Sequence, residues 1–517
     1  MQSKSPFYIT TPIYYVNDSP HIGHAYTTLA CDVLARFKRL DGFEVKFLTG
    51  TDEHGQKVEK SAQKAGVDPQ SFTDKVSKNF QQLTQQMNFT NDDFIRTTEE
   101  RHKVACQDLW RKLIDSGDIY LGSYAGWYSI RDEAFYSDSE LITKKNGNKV
   151  APTGAEVEWL EEPSYFFKLS AWQERLLDFY NENHNFILPI SRRNEVISFV
   201  EGGLQDLSVS RTSFKWGVQV PGDNDHIMYV WLDALTNYIT AVGYPNTNHD
   251  EYEKFWPADI HIVGKDILRF HAVYWPAFLL AAGLEPPKRI FAHGWWTNEG
   301  EKISKSLGNV IDPLELISTY ELDQIRYFLM REVPFGNDGD FSHSAIISRV
   351  NSELSNDFGN LVQRVLSMIN KNCDAQVPQH NELTKEDTDF LNRIDNLLPS
   401  VRESIEVQAF HTALEKIWSE IRNSNHYIDQ QAPWALKKEN PERMNTVLYI
   451  LAEAIRQLAM IAQPFVPEAA EKILDQVGVP KSKRNYSQYG INGRLIPGIN
   501  LPKPEGVFPR LVKDISS

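Results

Sequence analysis

A short apolar run, Phe7-Tyr8-Ile9-Thr10-Thr11, leads through a tight turn at His21-Ile22-Gly23-His24 into an amphipathic helical pattern from Ala25 to Leu40. The rhythm then repeats. Glu44 to Thr51 is an apolar strand ending in Asp52-Glu53-His54-Gly55, and Lys57 to Ala65 is again helical. A βαβα order requires a parallel sheet, with ligands at the carboxyl ends of its strands. The first turn also carries chemistry. A helix N-terminus offers free N–H groups and a partial positive charge, which suit a nucleotide phosphate. Gly23 lets the backbone approach such a ligand. Far downstream, Lys302-Ile303-Ser304-Lys305-Ser306 supplies two ammonium groups and two hydroxyls beside Gly300 and Gly308. Either cluster alone is a weak signal, but the two in this order point to an enzyme that handles ATP.

The α/β pattern covers residues 1–117 and resumes over 225–345. There Met228 to Ala234 enters a helix, Asp259 to Gly264 is a buried strand opening onto Lys265-Asp266, and Phe270 to Ala281 is helical before the strand Arg289 to Ala292. Between the halves, residues 118–224 are rich in aromatics and glycine. They read as an α+β insertion of short strands, with a hairpin turn at Lys144-Lys145-Asn146-Gly147-Asn148. Residues 346–479 lose the strand signal. Helical periodicity dominates Ile346 to Asn370, Asp387 to Ile405, Ala409 to Ile428 and Arg443 to Val477, the last interrupted by Pro464 and Pro467. Residues 480–517, rich in proline and glycine, read as a tail that packs back.

The 517 residues carry 41% hydrophobic and 24% charged side chains, the composition of an ordinary globular chain of about two to four domains. No apolar run is long enough to span a membrane, and the N-terminus lacks an apolar signal core, so the expected compartment is the cytoplasm. Cys31, Cys106 and Cys373 are scattered, with no C-x-x-C pair, so neither a cysteine zinc knuckle nor a disulfide framework is expected. A net charge of −15 excludes a protein that coats nucleic acid indiscriminately, though not a local RNA site.

Several segments together carry a family resemblance. They are Thr11-Pro12-Ile13-Tyr14-Tyr15-Val16-Asn17 before H-I-G-H, Thr49-Gly50-Thr51-Asp52-Glu53-His54-Gly55, Tyr229-Val230-Trp231-Leu232-Asp233-Ala234, Gly264-Lys265-Asp266-Ile267, His293-Gly294-Trp295 and the K-I-S-K-S loop. In this order they resemble the class I aminoacyl-tRNA synthetases, and the methionyl branch most closely. The loop departs from the usual sequence only in having Ile303 where methionine is common. Where many relatives carry zinc-binding cysteines, this chain has Gly126-Trp127-Tyr128-Ser129 through Tyr136, which resembles the metal-free branch.

The resemblance implies a Rossmann-type parallel sheet split by the insertion and followed by a helical anticodon-binding bundle. It implies activation of L-methionine by ATP with Mg²⁺, transfer to tRNA(Met), and no structural zinc. ATP would be met by His21, Gly23, His24, Gly264, Lys265, Asp266, Lys302, Ser304, Lys305 and Ser306, with His21, His24, Lys302 and Lys305 in the catalytic roles. The methionine pocket would be Ile13, Tyr15, Asp52, Trp231, Ala234, Tyr238, Phe270 and His271, with Asp52 facing the ammonium group. Leu235 stands where some relatives have proline. Asn360, Arg364, Pro433 and Trp434 would read the anticodon. The chain stops short of the appendage associated with dimers, so a monomer is expected. The isoleucine, valine and leucine enzymes carry an editing domain for which the insertion has no room. A cysteinyl enzyme would need zinc, and a small-molecule adenylyltransferase would not need the bundle.

Overall fold

The computed structural model describes residues 4–16, 19–132, 134–144, 147–303 and 309–512. These form two compact units that do not follow sequence order. One comprises residues 6–20 and 46–293, the other residues 1–5, 21–45 and 294–517.

The first unit is built on a seven-stranded sheet. Its strands run in the order Ile187–Leu188, Ile290–His293, Ile260–Gly264, Pro6–Thr10, Glu44–Asp52 and Tyr14–Tyr15, and Asp93–Arg96 also pairs with Glu44–Asp52. The recorded pairings are parallel, with Ile9 opposite Ile260, His261 opposite Ile290 and Tyr15 opposite Asp52. Covered on both faces, such a sheet tolerates polar side chains only in pairs. Thr10 Oγ1 accordingly meets His261 Nδ1 at 2.7 Å, and Thr11 Oγ1 donates to Thr49 Oγ1 at 2.8 Å.

The insertion contributes a four-stranded antiparallel sheet, ordered Leu207–Ser208, Glu158–Phe167, Ile119–Ser129 and Ala134–Tyr136. Aromatic pairs hold it: Tyr120 and Phe166 stack at 5.6 Å, and Trp127 meets Trp159 edge to face at 5.4 Å. One part of the insertion leaves this sheet. Ile187–Leu188, within the 118–224 stretch, forms the edge strand of the large parallel sheet. A two-residue strand is too short to show a period, so the pattern there is silent.

In the second unit the helix Ile22–Leu40 is anchored by one buried ion pair. Asp32 accepts from Arg326 at 2.7 Å with both side chains fully buried, and it also accepts from Arg36 at 2.7 Å. Arg326 extends the tie by donating to the carbonyls of Pro464 and Phe465 at 2.9 and 3.2 Å. One guanidinium therefore joins that helix, its own helix Leu322–Arg331 and the bend between Pro441–Ala462 and Pro467–Gln476. Pro441–Ala462 is buried along most of its length and forms the axis of the bundle.

The bundle departs from its pattern in two places. The expected helix Asp387 to Ile405 is two, Lys385–Asp395 and Leu397–Glu406. Pro399 falls in the first turn of the second, where its missing N–H costs nothing, and Asn396 takes up the break. The stretch from Ile346 to Asn370 is also composite. The π-helical segment Val350–Gly359 separates His343–Arg349 from Asn360–Asn372. Beyond the bundle, residues 480–512 fold back on it in short turns. Glu453 accepts from Leu495 N and Arg494 at 3.0 Å each, and Asn351 donates to the Leu511 carbonyl at 2.8 Å.

Cys31 and Cys106 are buried and Cys373 half-buried, all as free thiols. Among the described residues no helix is long and apolar enough to cross a membrane.

Candidate functional site

The H-I-G-H turn is helical from Ile22, three residues earlier than the apolar period indicates, and His21 is its N-cap. The two imidazoles form a capping box. His21 Nδ1 accepts from Gly23 N at 3.1 Å, and His24 Nδ1 accepts from His21 N at 3.1 Å. A nitrogen that accepts an N–H carries no proton, so each neutral ring keeps its hydrogen on Nε2. Burial, and then the neighbouring His21, hold the His24 imidazole well below its usual range, so it stays neutral. The rings stack at 3.8 Å. Gly23 is required here by His21: a Cβ at this position would lie 2.9 Å from His21 Cε1. The turn spends its backbone N–H groups on its own rings and carbonyl and on the Ile311 carbonyl, at the positive end of a helix whose first turn holds no acidic residue.

The second phosphate-seeking segment starts on a hairpin. Trp296–Asn298 pairs antiparallel with Glu301–Lys302 and parallel with Gly339–Phe341. Glu299 and Gly300, at φ 50 and 81, make the left-handed two-residue turn that hairpins favour. Asp340 Oδ1 pins it, accepting from Gly300 N at 2.8 Å and Thr297 Oγ1 at 2.5 Å. The hairpin places the backbone of Lys302 at the exit of its second strand. Ser304, Lys305 and Ser306 lie outside the described residues.

The proposed methionine group gathers in the first unit. Tyr15 and Asp52 lie side by side because their strands pair in that register. Trp231, on the short helix Val230–Leu235, lies face to face with Phe270 at 3.8 Å, and its Nε1 is buried. Ile13, Tyr15 and Trp231 pack partly buried on the main core, and Ala234, on the same short helix as Trp231, is buried. Phe270 and His271 belong to a π-helical turn, Phe270–Tyr274, a form that recurs at functional sites. The Ile267 carbonyl can only accept, so His271 Nδ1 donates to it, at 2.9 Å. His271 Nε2 then accepts from the Tyr238 hydroxyl at 2.6 Å. Burial pushes the His271 imidazole down to about 4, so it stays neutral with both ring nitrogens committed, while Trp231 Nε1 is buried without a partner among the described residues. This leaves a soft aromatic surface suited to a thioether.

Gly264 ends the strand Ile260–Gly264 opposite His293, and Lys265–Ile267 follow as a single tight turn. Gly264, Lys265 and Asp266 therefore stand at the carboxyl edge of the parallel sheet.

In the bundle, Asn360 and Arg364 occupy one face of the helix Asn360–Asn372. Arg364 donates to Asp429 at 2.6 Å, and its guanidinium lies 5.5 Å from the centre of the Trp434 ring. Pro433 opens the helix Pro433–Glu439 after Ala432, whose left-handed φ of 42 turns the chain sharply. Trp434 is left 50% exposed, an open stacking face.

One cluster carries no local sequence signal. Asp233, His54, His102 and Cys106 are all buried together, and Asp233 binds both imidazoles at 2.7 Å. His102 and Cys106 are four apart on Glu100–Asp115, which a helical reading could pair, but Asp233 lies 131 residues from His102.

Comparison with known proteins gives these features a context. The family model of class I tRNA synthetases of the M group matches residues 7–366, and that of the anticodon-binding domain of methionyl tRNA ligase matches residues 377–516. The methionine–tRNA ligase of Brucella suis biovar 1 is 54% identical over 511 residues, covering 99% of both chains. That of Rickettsia conorii is 57% identical over 514 residues, covering 98% of this chain and 99% of its own. Among solved structures, Mycobacterium tuberculosis methionyl-tRNA synthetase in complex with methionyl-adenylate matches with a TM-score of 0.96 at 51% identity, covering 98% of this chain and all of that one. The apo form of that enzyme matches with a TM-score of 0.90 at 48% identity over 99% of each chain. Both halves of the chain are thus accounted for by one family, and the protein belongs to the class I tRNA synthetases of the methionine group.

Proposed function

We infer that the protein is a methionine–tRNA ligase. It activates L-methionine with ATP to methionyl-adenylate and pyrophosphate, then passes the methionyl group to the 3′ end of tRNA(Met). The observation that carries this is the match over 98% of the chain to a relative in complex with methionyl-adenylate.

The reaction needs no protein nucleophile. The methionine carboxylate attacks the α-phosphate, so the protein's work is to position the reactants and to stabilise charge developing on phosphate oxygens. His21 and His24 are assigned to the triphosphate; their neutral rings and Nε2 hydrogens support donation to phosphate oxygens. Gly23 keeps that turn close to the nucleotide. Lys305 neutralises the β- and γ-phosphates during the in-line displacement, Lys302, Ser304 and Ser306 meet ATP from the same loop, and Gly264, Lys265 and Asp266 border the nucleotide. Mg²⁺ arrives with ATP, held mainly by phosphates and water.

Ile13, Tyr15, Trp231, Ala234, Tyr238, Phe270 and His271 surround the methionine side chain, and Asp52 takes its ammonium group. Asn360, Arg364, Pro433 and Trp434 receive the anticodon, where unstacked bases are read by stacking and edge hydrogen bonds. The domains are then 1–117 and 225–345 for the catalytic fold, 118–224 for an insertion without zinc, 346–479 for the anticodon bundle and 480–517 for the tail. Aromatic packing within the insertion supports the metal-free reading. The protein acts as a cytoplasmic monomer.

ATP–pyrophosphate exchange against each amino acid, followed by charging of tRNA, tests this. Exchange with methionine alone and charging of tRNA(Met) are expected. Exchange with isoleucine, valine, leucine or cysteine instead contradicts it.

A further inference from the structure

The buried carboxylate of Asp233 is not used by the chemistry above, yet it joins two parts of the methionine pocket. It lies on Val230–Leu235 between the pocket residues Trp231 and Ala234. Its Oδ2 holds His54 Nδ1 and its Oδ1 holds His102 Nε2, each at 2.7 Å, and all three side chains are buried. Burial works against a charge here, but the two imidazoles outweigh it and keep the carboxyl well below the usual carboxylate range.

His54 stands two residues after Asp52, the residue assigned to the methionine ammonium group. The residue between them is clamped as well. Glu53 accepts from Arg96 at 2.7 and 2.9 Å and from Thr98 at 2.5 Å, and its backbone N–H donates to Thr97 at 2.9 Å. Trp216 donates to the Glu53 carbonyl at 2.6 Å and packs edge-on to His54. The chain just past Asp52 is therefore fixed by side chains from several distant segments. Among these ties, the one from His54 leads to the helix that carries Trp231 and Ala234.

We propose that Asp233 is a positioning residue for recognition of the methionine ammonium group: through His54 it sets the place of Asp52 relative to the Trp231–Ala234 wall, with His102 orienting Asp233 from behind. This rests on the assignment of Asp52 made above. It predicts that breaking the tie weakens binding of the ammonium group and spares the rest of the ligand.

The test uses the full chain and two competitive inhibitors of exchange, methioninol, which keeps the ammonium group, and 4-(methylthio)-1-butanol, which differs from it only in lacking that group. Their affinity ratio reads the ammonium contact alone. His54→Gln and Asp233→Asn are each expected to lower that ratio about tenfold, with KM for ATP unchanged. Combining His54→Gln with Asp52→Asn should lower it no further than Asp52→Asn alone. Equal weakening of both inhibitors, a parallel rise in KM for ATP, or full additivity with Asp52→Asn would show a merely structural role and overturn the proposal. If Asp233→Asn does not fold, His54→Gln carries the test. A ratio unmoved by Asp52→Asn removes the Asp52 assignment and the proposal with it. A ratio lowered by Asp52→Asn but not by His54→Gln removes the proposal only.

Discussion

Trp231 lies face to face with Phe270 at 3.8 Å inside the proposed methionine pocket, whereas Trp434 stands half exposed with the Arg364 guanidinium 5.5 Å from its ring. The same side chain is used in two ways. Around Trp231 the polar neighbours are spent: Tyr238 donates to His271, and His271 donates to a backbone carbonyl. What remains is a preformed apolar wall, suited to a small ligand that must be enclosed. Around Trp434 the face is left open beside a cation, as expected where a base must come from outside and stack. On the proposed assignment, enclosure would select an amino acid and exposure would capture a large flexible partner.

The largest effect that would test this contrast is expected from Trp231→Ala. Loss of the stacked wall should cost about 3 kcal/mol of methionine recognition, or roughly a hundredfold in kcat/KM for exchange. Affinity for tRNA should not change. A variant with normal exchange would place methionine elsewhere.

The next effect is a pH dependence that belongs to the enclosed site. His271 titrates at about 4 in the fold, against about 6.5 in an unfolded chain. Its contribution is therefore fully present above pH 6.5 and is lost progressively as pH falls from 6.5 to 4, because the unfolded chain takes up a proton that the fold refuses. The loss is on the order of 3 kcal/mol. His24 and His261, also neutral through burial, add a slope of the same sign. His271→Gln should flatten the fall of stability with pH in a denaturant titration. An unchanged slope would mean that His271 is solvated.

Trp434→Ala should weaken tRNA binding by roughly 1–3 kcal/mol if the ring stacks on a base. The smallest effect is expected from Arg364→Lys. It keeps the charge but loses the planar guanidinium, at a cost of about 0.5–1 kcal/mol in tRNA binding. A loss as large as that from Trp434→Ala would make the guanidinium itself the base reader.

How much of this was legible in the sequence depends on distance along the chain. The strands at Phe7 to Thr11, Glu44 to Thr51, Asp259 to Gly264 and Arg289 to Ala292, and the break in the last long helix near Pro464, follow from local period and proline chemistry, whereas Tyr14–Tyr15, Asp93–Arg96 and Ile187–Leu188 are too short to carry a period. Asn360 and Arg364 share a face because they are four apart on one helix. The break at Asn396 was missed, since apolar spacing runs through it and only Pro399 hints at a fresh first turn. The role of Gly23 in making room for His21 was also missed, because the ring folds back on its own backbone. The Asp233 cluster could not be found from period or spacing. His54 and Asp233 are 179 residues apart, and a buried hydrogen bond leaves no trace in either local pattern. The meeting of Arg364 with Trp434 depends likewise on the left-handed turn at Ala432, which no glycine announces.

The proposed division of labour gives amino-acid activation and tRNA capture to separate aromatic sites. Its most direct test measures methionine-dependent ATP–pyrophosphate exchange and tRNA charging on one preparation of Trp434→Ala. Exchange at the wild-type rate with charging reduced at limiting tRNA is expected. Exchange that falls in step with charging, or charging that is unchanged with the anticodon still discriminated, would contradict it.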